Sequence, residues 1–350
     1  MSFSRRSFLT TVPLAAVPLV GANPTVEGAR PLDDLPWKKP RALRPGDAIQ
    51  FVAPAGPADP ERVEACRGRF EGLGFRVIVP RNLFRRDRYL GGTDDERAAE
   101  LNAAIHDRQV RAIFPVRGGY GLMRILAKLD YQAIRDDPKI ITGYSDLTAL
   151  HLAVARHSRV ITFHAPMVQS SLFRDDGDFA YAWSSFWKMI RGEGFAESGS
   201  PGRTIELPTN RPEPTTLVAG RATGRLVGGN LTLICSTLGT PYALEPAGKI
   251  LLIEDTGEAP YRVDRMFAQL RLAGVLDQVA GLLIGTFDET DVKATDEVVR
   301  EHCSRLKIPV LLNYPVGHTP FNASLPHGGL IELNAETARV RLVENPVETG

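Results

Sequence analysis

This 350-residue chain alternates short apolar runs with helix-length amphipathic segments in a regular order, which leaves few folds open to it. A strand buried on both faces is short and apolar throughout, whereas a helix that packs on a sheet carries an apolar stripe of period 3.6. Strands that alternate with helices form parallel sheets with crossover helices. The pattern therefore predicts an α/β fold in both halves of the chain.

The same pattern predicts the individual elements. In the first half, strands are expected at residues 48–53, 75–79, 111–116, 139–144 and 160–164, with helices at 60–73, 94–106, 121–129, 146–157 and 178–191. In the second half, strands are expected at 221–227, 249–253, 281–287, 310–314, 330–333 and 339–343, with helices from 230, at 260–279 and at 296–306.

The first 22 residues differ from the rest, because Arg5 and Arg6 are their only charges and an apolar run follows at 8–20. This basic start, short apolar segment and possible cut after Ala22 predict a secretory signal that is too short to span a membrane. Paired arginines just ahead of the apolar run indicate the twin-arginine export route of bacteria, and hence the periplasm. An uncleaved amphipathic arm is the alternative, and the lack of any acid before Glu27 weakens it.

Charge and cysteine content narrow the function further. Lysine plus arginine is 42 and aspartate plus glutamate is 41, so the net charge of +1 gives no reason to expect a nucleic-acid partner. Cys66, Cys235 and Cys303 fall in helical patterns and are predicted to be buried apolar side chains, rather than a disulfide plus a reactive thiol. Since no metal-ligand spacing occurs, we predict neither a metal nor a cofactor.

A composition change divides the chain in two. Residues 192–216 are rich in Gly, Ser, Pro and Thr and show no sustained period, which is typical of a linker. We therefore predict an N-terminal domain at 45–191, a linker at 192–218 and a C-terminal domain at 219–345.

A candidate nucleophile follows the fourth predicted strand, in the sequence Gly143-Tyr144-Ser145-Asp146. A serine at a sharp strand-to-helix turn presents its hydroxyl at the end of the sheet, and the next amide points at any oxyanion formed there. Ser145 would be the nucleophile, and the Asp146 amide would be one oxyanion donor. The alternative is that Ser145 or Asp146 simply caps the helix.

A glycine-rich segment, residues 117–121 (RGGYG), follows the third predicted strand. Glycines at such a turn let backbone amides approach a ligand closely, as in anion-binding loops. Because the spacing fits neither a dinucleotide loop nor a P-loop, a cradle for an oxyanion or carboxylate fits better than a phosphate site. A plain turn is the alternative.

A serine nucleophile needs a base and a carboxylate that orients the base. His318 lies in a Gly/Pro-rich loop after a strand, His164 ends a strand and is a competitor, and His327 is expected at a turn; His106, His151, His157 and His302 fall in helical patterns. Glu254 ends a buried strand, and Asp255 is the alternative acid, although strand alternation points it to the other side. The nucleophile and its two partners would then meet in an interdomain cleft.

Six motifs in order, spread over residues 45–345, resemble the LD-carboxypeptidase family, which includes muramoyltetrapeptide carboxypeptidases and microcin C immunity proteins. They are residues 51–57 (FVAPAGP), 117–121 (RGGYG), 143–148 (GYSDLT), 228–231 (GGNL), 253–255 (IED) and 317–318 (GH). The family's usual His-Gly-Pro reads His164-Ala165-Pro166 here.

The resemblance implies a Rossmann-like N-terminal domain, a swivelling C-terminal α/β domain, a homodimer and a Ser145-Glu254-His318 triad. A Gly119 amide would be the second oxyanion donor. Arg117 is a candidate partner for a substrate carboxylate, and Tyr120 is a second substrate-contact candidate.

The function that the resemblance implies is release of the terminal D-alanine from peptidoglycan stem tetrapeptides. Two alternatives stay open at this point. One is a related serine peptidase that acts on other small peptides or on peptidyl-nucleotide conjugates. The other is a periplasmic binding module, because two α/β domains around a cleft also describe solute receptors.

Overall fold

The computed structural model describes residues 35–170, 172, 177–195, 202–211 and 213–349. The predicted signal at 1–22 lies outside these ranges. Twin-arginine export stays a prediction, which fractionation of cells that carry Arg5 and Arg6 or lysines in their place would test. No helix among the described residues is long and apolar enough to cross a membrane.

The first sheet has six strands: β1 (Ala48–Val52), β2 (Arg76–Ile78), β3 (Val110–Pro115), β4 (Ile140–Gly143), β5 (Thr162–His164) and, from far along the chain, β12 (Leu325–His327). Their spatial order is β12-β5-β4-β3-β1-β2. All neighbours are parallel except β12, which runs antiparallel to β5. The strand order reverses between β1 and β3, which is where open α/β sheets bind ligands.

Five helices accompany this sheet: α1 (Pro60–Gly72), α2 (Asp94–His106), α3 (Tyr131–Asp136), α4 (Leu147–His157) and α5 (Phe179–Ile190). Helix α2 starts where the sequence predicts, because Thr93 and Glu96 form a capping box and acidic residues fill its first turn. Helix α4 is buried along almost its whole length. It is the helix that follows the candidate nucleophile.

The second sheet has eight strands: β6 (Arg203–Thr204), β7 (Thr215–Val218), β8 (Arg221–Asn230), β9 (Ile250–Thr256), β10 (Gly281–Asp288), β11 (Val310–Leu312), β13 (Leu330–Asn334) and β14 (Arg339–Leu342). The order is β6-β14-β13-β8-β9-β10-β11-β7, with β8 to β11 parallel. Helices α6 (Leu231–Thr237), α7 (Pro260–Leu272) and α8 (Val292–Cys303) complete this half. The mixed α/β fold expected of both halves is confirmed.

The three cysteines are buried and unpaired, as predicted, and they lie in α1, α6 and α8. Burial raises the pKa of the Cys235 and Cys303 thiols to about 12. Thiols of this kind are protonated and unreactive at neutral pH.

The two sheets meet at the end of β8, where Gly229 allows a close approach. A Cβ on Gly229 would lie 2.6 Å from Oγ1 of Thr148 in α4 and 3.3 Å from Cδ2 of His164 in β5. The amide of Asn230 donates to Oγ1 of Thr148 at 3.0 Å. These contacts fix the end of β8 against the helix that follows the candidate nucleophile.

Three predicted helices differ from the structure, and helix α3 was not predicted. The predicted helix 296–306 lies instead at Val292–Cys303, because the side chain of Asp291 caps its start by accepting from the amide of Ala294. The segment 121–129 forms two short 3-10 turns, Leu122–Arg124 and Leu126–Lys128, because Gly121 has φ 131° and its carbonyl accepts from buried Arg97. The predicted helix 260–279 ends at Leu272, since Gly274 takes φ 70° just beyond it and reverses the chain.

Three short strands were not predicted. The predicted linker at 192–218 contains β6 and β7, which pair with β14 and β11 at opposite edges of the second sheet. Strand β12 returns to the first sheet beside β5. The division of the chain into domains at these residues stays a prediction.

Candidate active site

Ser145 occupies a strained turn between β4 and α4. Its φ is 63°, a left-handed conformation that non-glycine residues seldom adopt. Strain of this kind persists where the surrounding structure enforces it, and it is concentrated at functional sites. The turn leaves Ser145 partly exposed while its neighbours Tyr144 and Asp146 are buried.

The alternative that Ser145 or Asp146 is a plain helix cap is wrong. Asp146 stands at the N-cap position of α4, but no side chain caps that helix. Oδ2 of Asp146 instead accepts from the amide of Leu122 at 2.9 Å, and burial raises the pKa of this carboxyl to about 6. Asp146 therefore ties the serine turn to the glycine-rich loop.

The glycine-rich loop passes directly over Ser145. A Cβ on Gly118 would lie 3.0 Å from Cβ of Ser145, 3.2 Å from its Oγ and 3.4 Å from the amide nitrogen of Asp146. The Gly118 carbonyl accepts from the amide of Gly56, in the loop after β1, at 3.1 Å. Only a residue without a side chain fits at Gly118 without displacing the serine.

Two amides beside Ser145 are available to a ligand. In the described part of the chain, neither the amide of Gly119 nor that of Asp146 donates to any acceptor. Because the Gly118 carbonyl turns toward Gly56, a trans peptide points the Gly119 amide to the opposite side. The two amides that the sequence predicts as oxyanion donors are therefore free to bind a ligand, and that role stays a prediction.

Glu254 and His318 form a hydrogen-bonded pair. Nδ1 of His318 lies 2.8 Å from Oε2 of Glu254, whose side chain is fully buried. Glu254 belongs to β9, and His318 lies in the loop after β11. Two glycines make room for the carboxylate: a Cβ on Gly317 would lie 2.9 Å from Oε2 of Glu254, and one on Gly285 would lie 3.1 Å from its Cβ.

Each member of the pair favours the charged form of the other. Burial opposes the charge on Glu254, but His318 and His164 outweigh it and lower the pKa of Glu254 to about 2. Burial likewise disfavours the charged form of His318, yet the carboxylate of Glu254 outweighs it and raises the pKa of His318 above 6.5. With Nδ1 turned to Glu254, Nε2 is the nitrogen left to exchange a proton.

The other candidate acid and bases lie in different surroundings. Asp255 accepts from Asn230 and Thr232 at 2.7–2.9 Å, so it anchors the start of α6 on the opposite side of β9. His164 is fully buried, with Nε2 3.6 Å from Oε1 of Glu254. His327 lies in β12, where its Nε2 accepts from the amide of Gly228. None of these three lines the cleft beside Ser145.

Ser145 and His318 face one open cleft of about 450 Å³. The cleft is lined by Arg62, Arg117, Gly118, Gly119, Tyr144, Ser145, Met167, Gln169, Ser170, Thr256 and His318. The Ser145 hydroxyl and His318 are not hydrogen-bonded to each other among the described residues, and such bonds commonly tighten only when substrate binds.

Of the two predicted substrate contacts, Arg117 lines the cleft and Tyr120 does not. Arg117 is exposed, and it forms no ion pair with any residue that the structure describes. Tyr120 is 50% exposed and packs edge-on against Tyr89, with ring centroids 5.9 Å apart.

Several residues of the site carry no signal in the sequence. Arg62 lies in an ordinary amphipathic helix, where nothing distinguishes it from other exposed arginines. Arg97 is buried and donates to the carbonyls of Pro54, Gly92 and Gly121, so it binds three loops together. In the sequence, residues 94–97 appear only as charged residues in the first turn of a helix, and nothing indicates the contacts of Arg97. No three His, Cys, Asp or Glu side chains in the described ranges converge as a metal site would require.

Comparison with known proteins gives matches along most of the chain. Residues 49–165 match the LD-carboxypeptidase N-terminal domain, and residues 223–333 match the LD-carboxypeptidase C-terminal domain. A probable murein peptide carboxypeptidase of Bacillus subtilis is 36% identical over 89% of this chain and 96% of its own.

Solved structures agree with these matches. MccF in complex with glutamyl sulfamoyl guanosine has a TM-score of 0.81 and 27% identity, over 89% of this chain and 99% of that one. Muramoyltetrapeptide carboxypeptidase from Oxalobacter formigenes has a TM-score of 0.71 and 29% identity, over 84% and 97% of the two chains. The chain therefore belongs to the LD-carboxypeptidase family, a family of serine peptidases.

Proposed function

We propose that this enzyme is a serine LD-carboxypeptidase that removes the terminal D-alanine from peptidoglycan stem tetrapeptides. The observation that carries the proposal is the meeting of Ser145, in its strained turn, with the His318–Glu254 pair in one cleft. The relatives named as murein peptide and muramoyltetrapeptide carboxypeptidases support the substrate class. Family membership favours an enzyme over a binding module.

In the proposed reaction, His318 removes the proton of Ser145 as Oγ attacks the carbonyl carbon before the terminal residue. The accepting nitrogen is Nε2, because Nδ1 is held by Glu254 at 2.8 Å. The carboxylate fixes the tautomer of the imidazole and stabilises the imidazolium that forms. Glu254 suits this role because it stays ionised while fully buried.

The oxyanion of the tetrahedral intermediate would be held by the amides of Gly119 and Asp146. Each such donor contributes roughly 10²–10³ in rate. His318 then gives its proton to the amine of D-alanine, the C–N bond breaks and an acyl-enzyme forms on Ser145. Water, deprotonated by His318, attacks the ester carbonyl, and His318 then returns the proton to Oγ of Ser145 as the shortened peptide leaves.

A carboxypeptidase must also recognise the free carboxylate of its substrate. Arg117 projects into the cleft with no ion-pair partner among the described residues, and Arg62 lines the same cleft. Guanidinium groups bind carboxylates through charge-assisted, often bidentate, hydrogen bonds. We assign the substrate carboxylate to Arg117, with Arg62 as a second cation nearby. Tyr120 stays a predicted substrate contact at the outer side of the loop.

The function is tested by incubating the purified enzyme with a muropeptide tetrapeptide and weighing the products. We expect the tripeptide and free D-alanine. The tetrapeptide that ends in L-alanine, and the one whose terminal carboxylate is an amide, should be left intact, because they lack the stereocentre and the anion. Equal cleavage of all three peptides would contradict the assignment.

A second candidate substrate is a peptidyl or aminoacyl nucleotide conjugate. The similarity to MccF, solved with glutamyl sulfamoyl guanosine, favours this class. A panel that compares kcat/KM for the tetrapeptide with that for aminoacyl sulfamoyl nucleosides separates the two. Preference for the nucleosides would replace the murein assignment while leaving the triad in place.

Gly118→Ala is expected to lower kcat about 10- to 100-fold with little loss of stability. The added Cβ would lie 3.0 Å from Cβ of Ser145, so the nucleophile or the loop must move by tenths of an ångström. Gly68→Ala is the matched control, since a Cβ on Gly68 in α1 meets nothing within 4 Å. Steady-state kinetics and thermal unfolding check both, and full activity in Gly118→Ala would contradict the close packing of the loop.

The predicted export would place the enzyme beside peptidoglycan, its proposed substrate. The homodimer that the family resemblance implies also stays a prediction, and light scattering on the mature chain tests it.

A further inference from the structure

His164 is a buried titratable side chain that the proposed reaction does not use. It ends β5 in the first sheet, and its side chain is fully buried. Within the described ranges, neither ring nitrogen has a hydrogen-bond partner. Buried polar atoms in proteins are nearly always hydrogen-bonded, so an unpaired one calls for an explanation.

The group that faces His164 is the proposed catalytic carboxylate. Oε2 of Glu254 accepts from His318, but Oε1 is buried and has no hydrogen-bond partner among the residues described. Nε2 of His164 is 3.6 Å from this oxygen, a few tenths of an ångström beyond a hydrogen bond. A small movement of either side chain would satisfy both buried atoms at once.

The approach of His164 to Glu254 depends on how the two sheets pack. His164 belongs to the first sheet and Glu254 to the second, and a Cβ on Gly229 would lie 3.3 Å from Cδ2 of His164. Tyr144, next to the nucleophile, stands between the two histidines, with ring centroids 4.8 Å from His318 and 5.9 Å from His164. The carboxylate of Glu254 therefore lies between His164, at the end of β5, and His318, in the loop after β11.

We propose that His164 is a positioning residue for the triad: its Nε2–H donates to Oε1 of Glu254 and fixes the carboxylate plane that orients His318. This inference rests on the proposed function, because it gives Glu254 the role of orienting the base. His164 does not touch substrate and acts only through Glu254. A carboxylate held at both oxygens cannot rotate away from His318 between turnovers.

Other charged or titratable groups face this pair and bear on its titration. Asp255 and Asp288 lie near His318, and His151 and His327 lie near His164. Burial lowers the pKa of His151 to about 3 and that of His327 well below its usual range, so both are neutral at working pH. The variants below leave all four in place.

The kinetic test compares His164→Phe, which fills the space without a donor, with His164→Gln, whose amide nitrogen can take the place of Nε2. We expect kcat/KM for the tetrapeptide to fall about 10- to 100-fold in the first and to recover largely in the second. In a Glu254→Gln background, His164→Phe should lower kcat/KM little further, because the carboxylate through which His164 acts is gone. Additive losses would overturn the proposal.

Histidine NMR tests the same contact without any substrate. Without the hydrogen bond from His164, the carboxylate of Glu254 stabilises protonated His318 more strongly. The titration of His318 should therefore move to higher pH in His164→Phe and stay near wild type in His164→Gln. His164→Leu serves if the phenylalanine variant does not fold. An unmoved titration in the apolar variant, or an equal shift in His164→Gln, would overturn the proposal. Absence of D-alanine release from the wild type would instead count against the proposed function.

Discussion

Replacing Ser145 with alanine should lower D-alanine release by about 10⁴-fold or more while leaving the fold unchanged. The loss is large because no other group supplies the nucleophile, and triad members act as a unit. The free energy of unfolding should change little, because serine and alanine both have a Cβ and so strain the backbone at φ 63° to the same extent. Product analysis by mass spectrometry and thermal unfolding measure the two effects.

Ser170 offers a matched control for this change, because it is a second serine that lines the same cleft. Its Oγ bonds to the backbone of Met167, so Ser170→Ala should lose some stability and retain most activity. Turnover by Ser145→Ala that approaches the wild-type rate would remove Ser145 from the mechanism.

Replacing Glu254 with glutamine should lower kcat/KM by about 10³- to 10⁴-fold and move the acidic limb of the pH profile to lower pH. The base is active when neutral, so wild-type activity rises as pH increases through the pKa of His318, which lies above 6.5. Without the carboxylate of Glu254, burial lowers the pKa of the imidazole, and only the weaker influence of Asp255 and Asp288 opposes it. Rates measured between pH 4 and 9, about the span in which histidine titrates, give both effects.

Asp255→Asn is the control for Glu254→Gln, because it changes the adjacent acid on the opposite side of β9. Asp255 accepts from Asn230 and Thr232, so its loss should lower stability and leave the acidic limb nearly in place. If the acidic limb moved in Asp255→Asn and not in Glu254→Gln, the carboxylate that orients the base would be Asp255 and not Glu254.

Elements that have a local sequence signal, such as a helix cap or an apolar run, could be predicted. Helix α2 has a capping box and acids in its first turn, and β9 is an apolar run, so both lie where expected. Strand β12 could not be predicted, since it has three residues, includes Pro326 and exists through pairing with β5 more than 150 residues earlier. The turns after Gly121 depend on Arg97, which reaches them from another helix.

The site was predictable where a residue type and its position determine the chemistry. A serine between a strand and a helix, an acid at a strand end and a histidine in a glycine-containing loop are visible in the sequence. Their surroundings depend on packing between distant segments, as in the Gly118 contact with Ser145 and the approach of His164 to Glu254. Strand alternation distinguished Glu254 from Asp255 because it fixes which side of β9 each one faces.

If Ser145 is a nucleophile activated by His318, a fluorophosphonate should label it covalently. Attack by Oγ of Ser145 on phosphorus expels fluoride and leaves a stable adduct that peptide mass spectrometry can locate. We expect a single adduct on Ser145, formed more slowly in the presence of the tetrapeptide and nearly absent in His318→Ala. An adduct on another residue, or labelling of Ser145 at the wild-type rate in His318→Ala, would contradict the activation of Ser145 by His318.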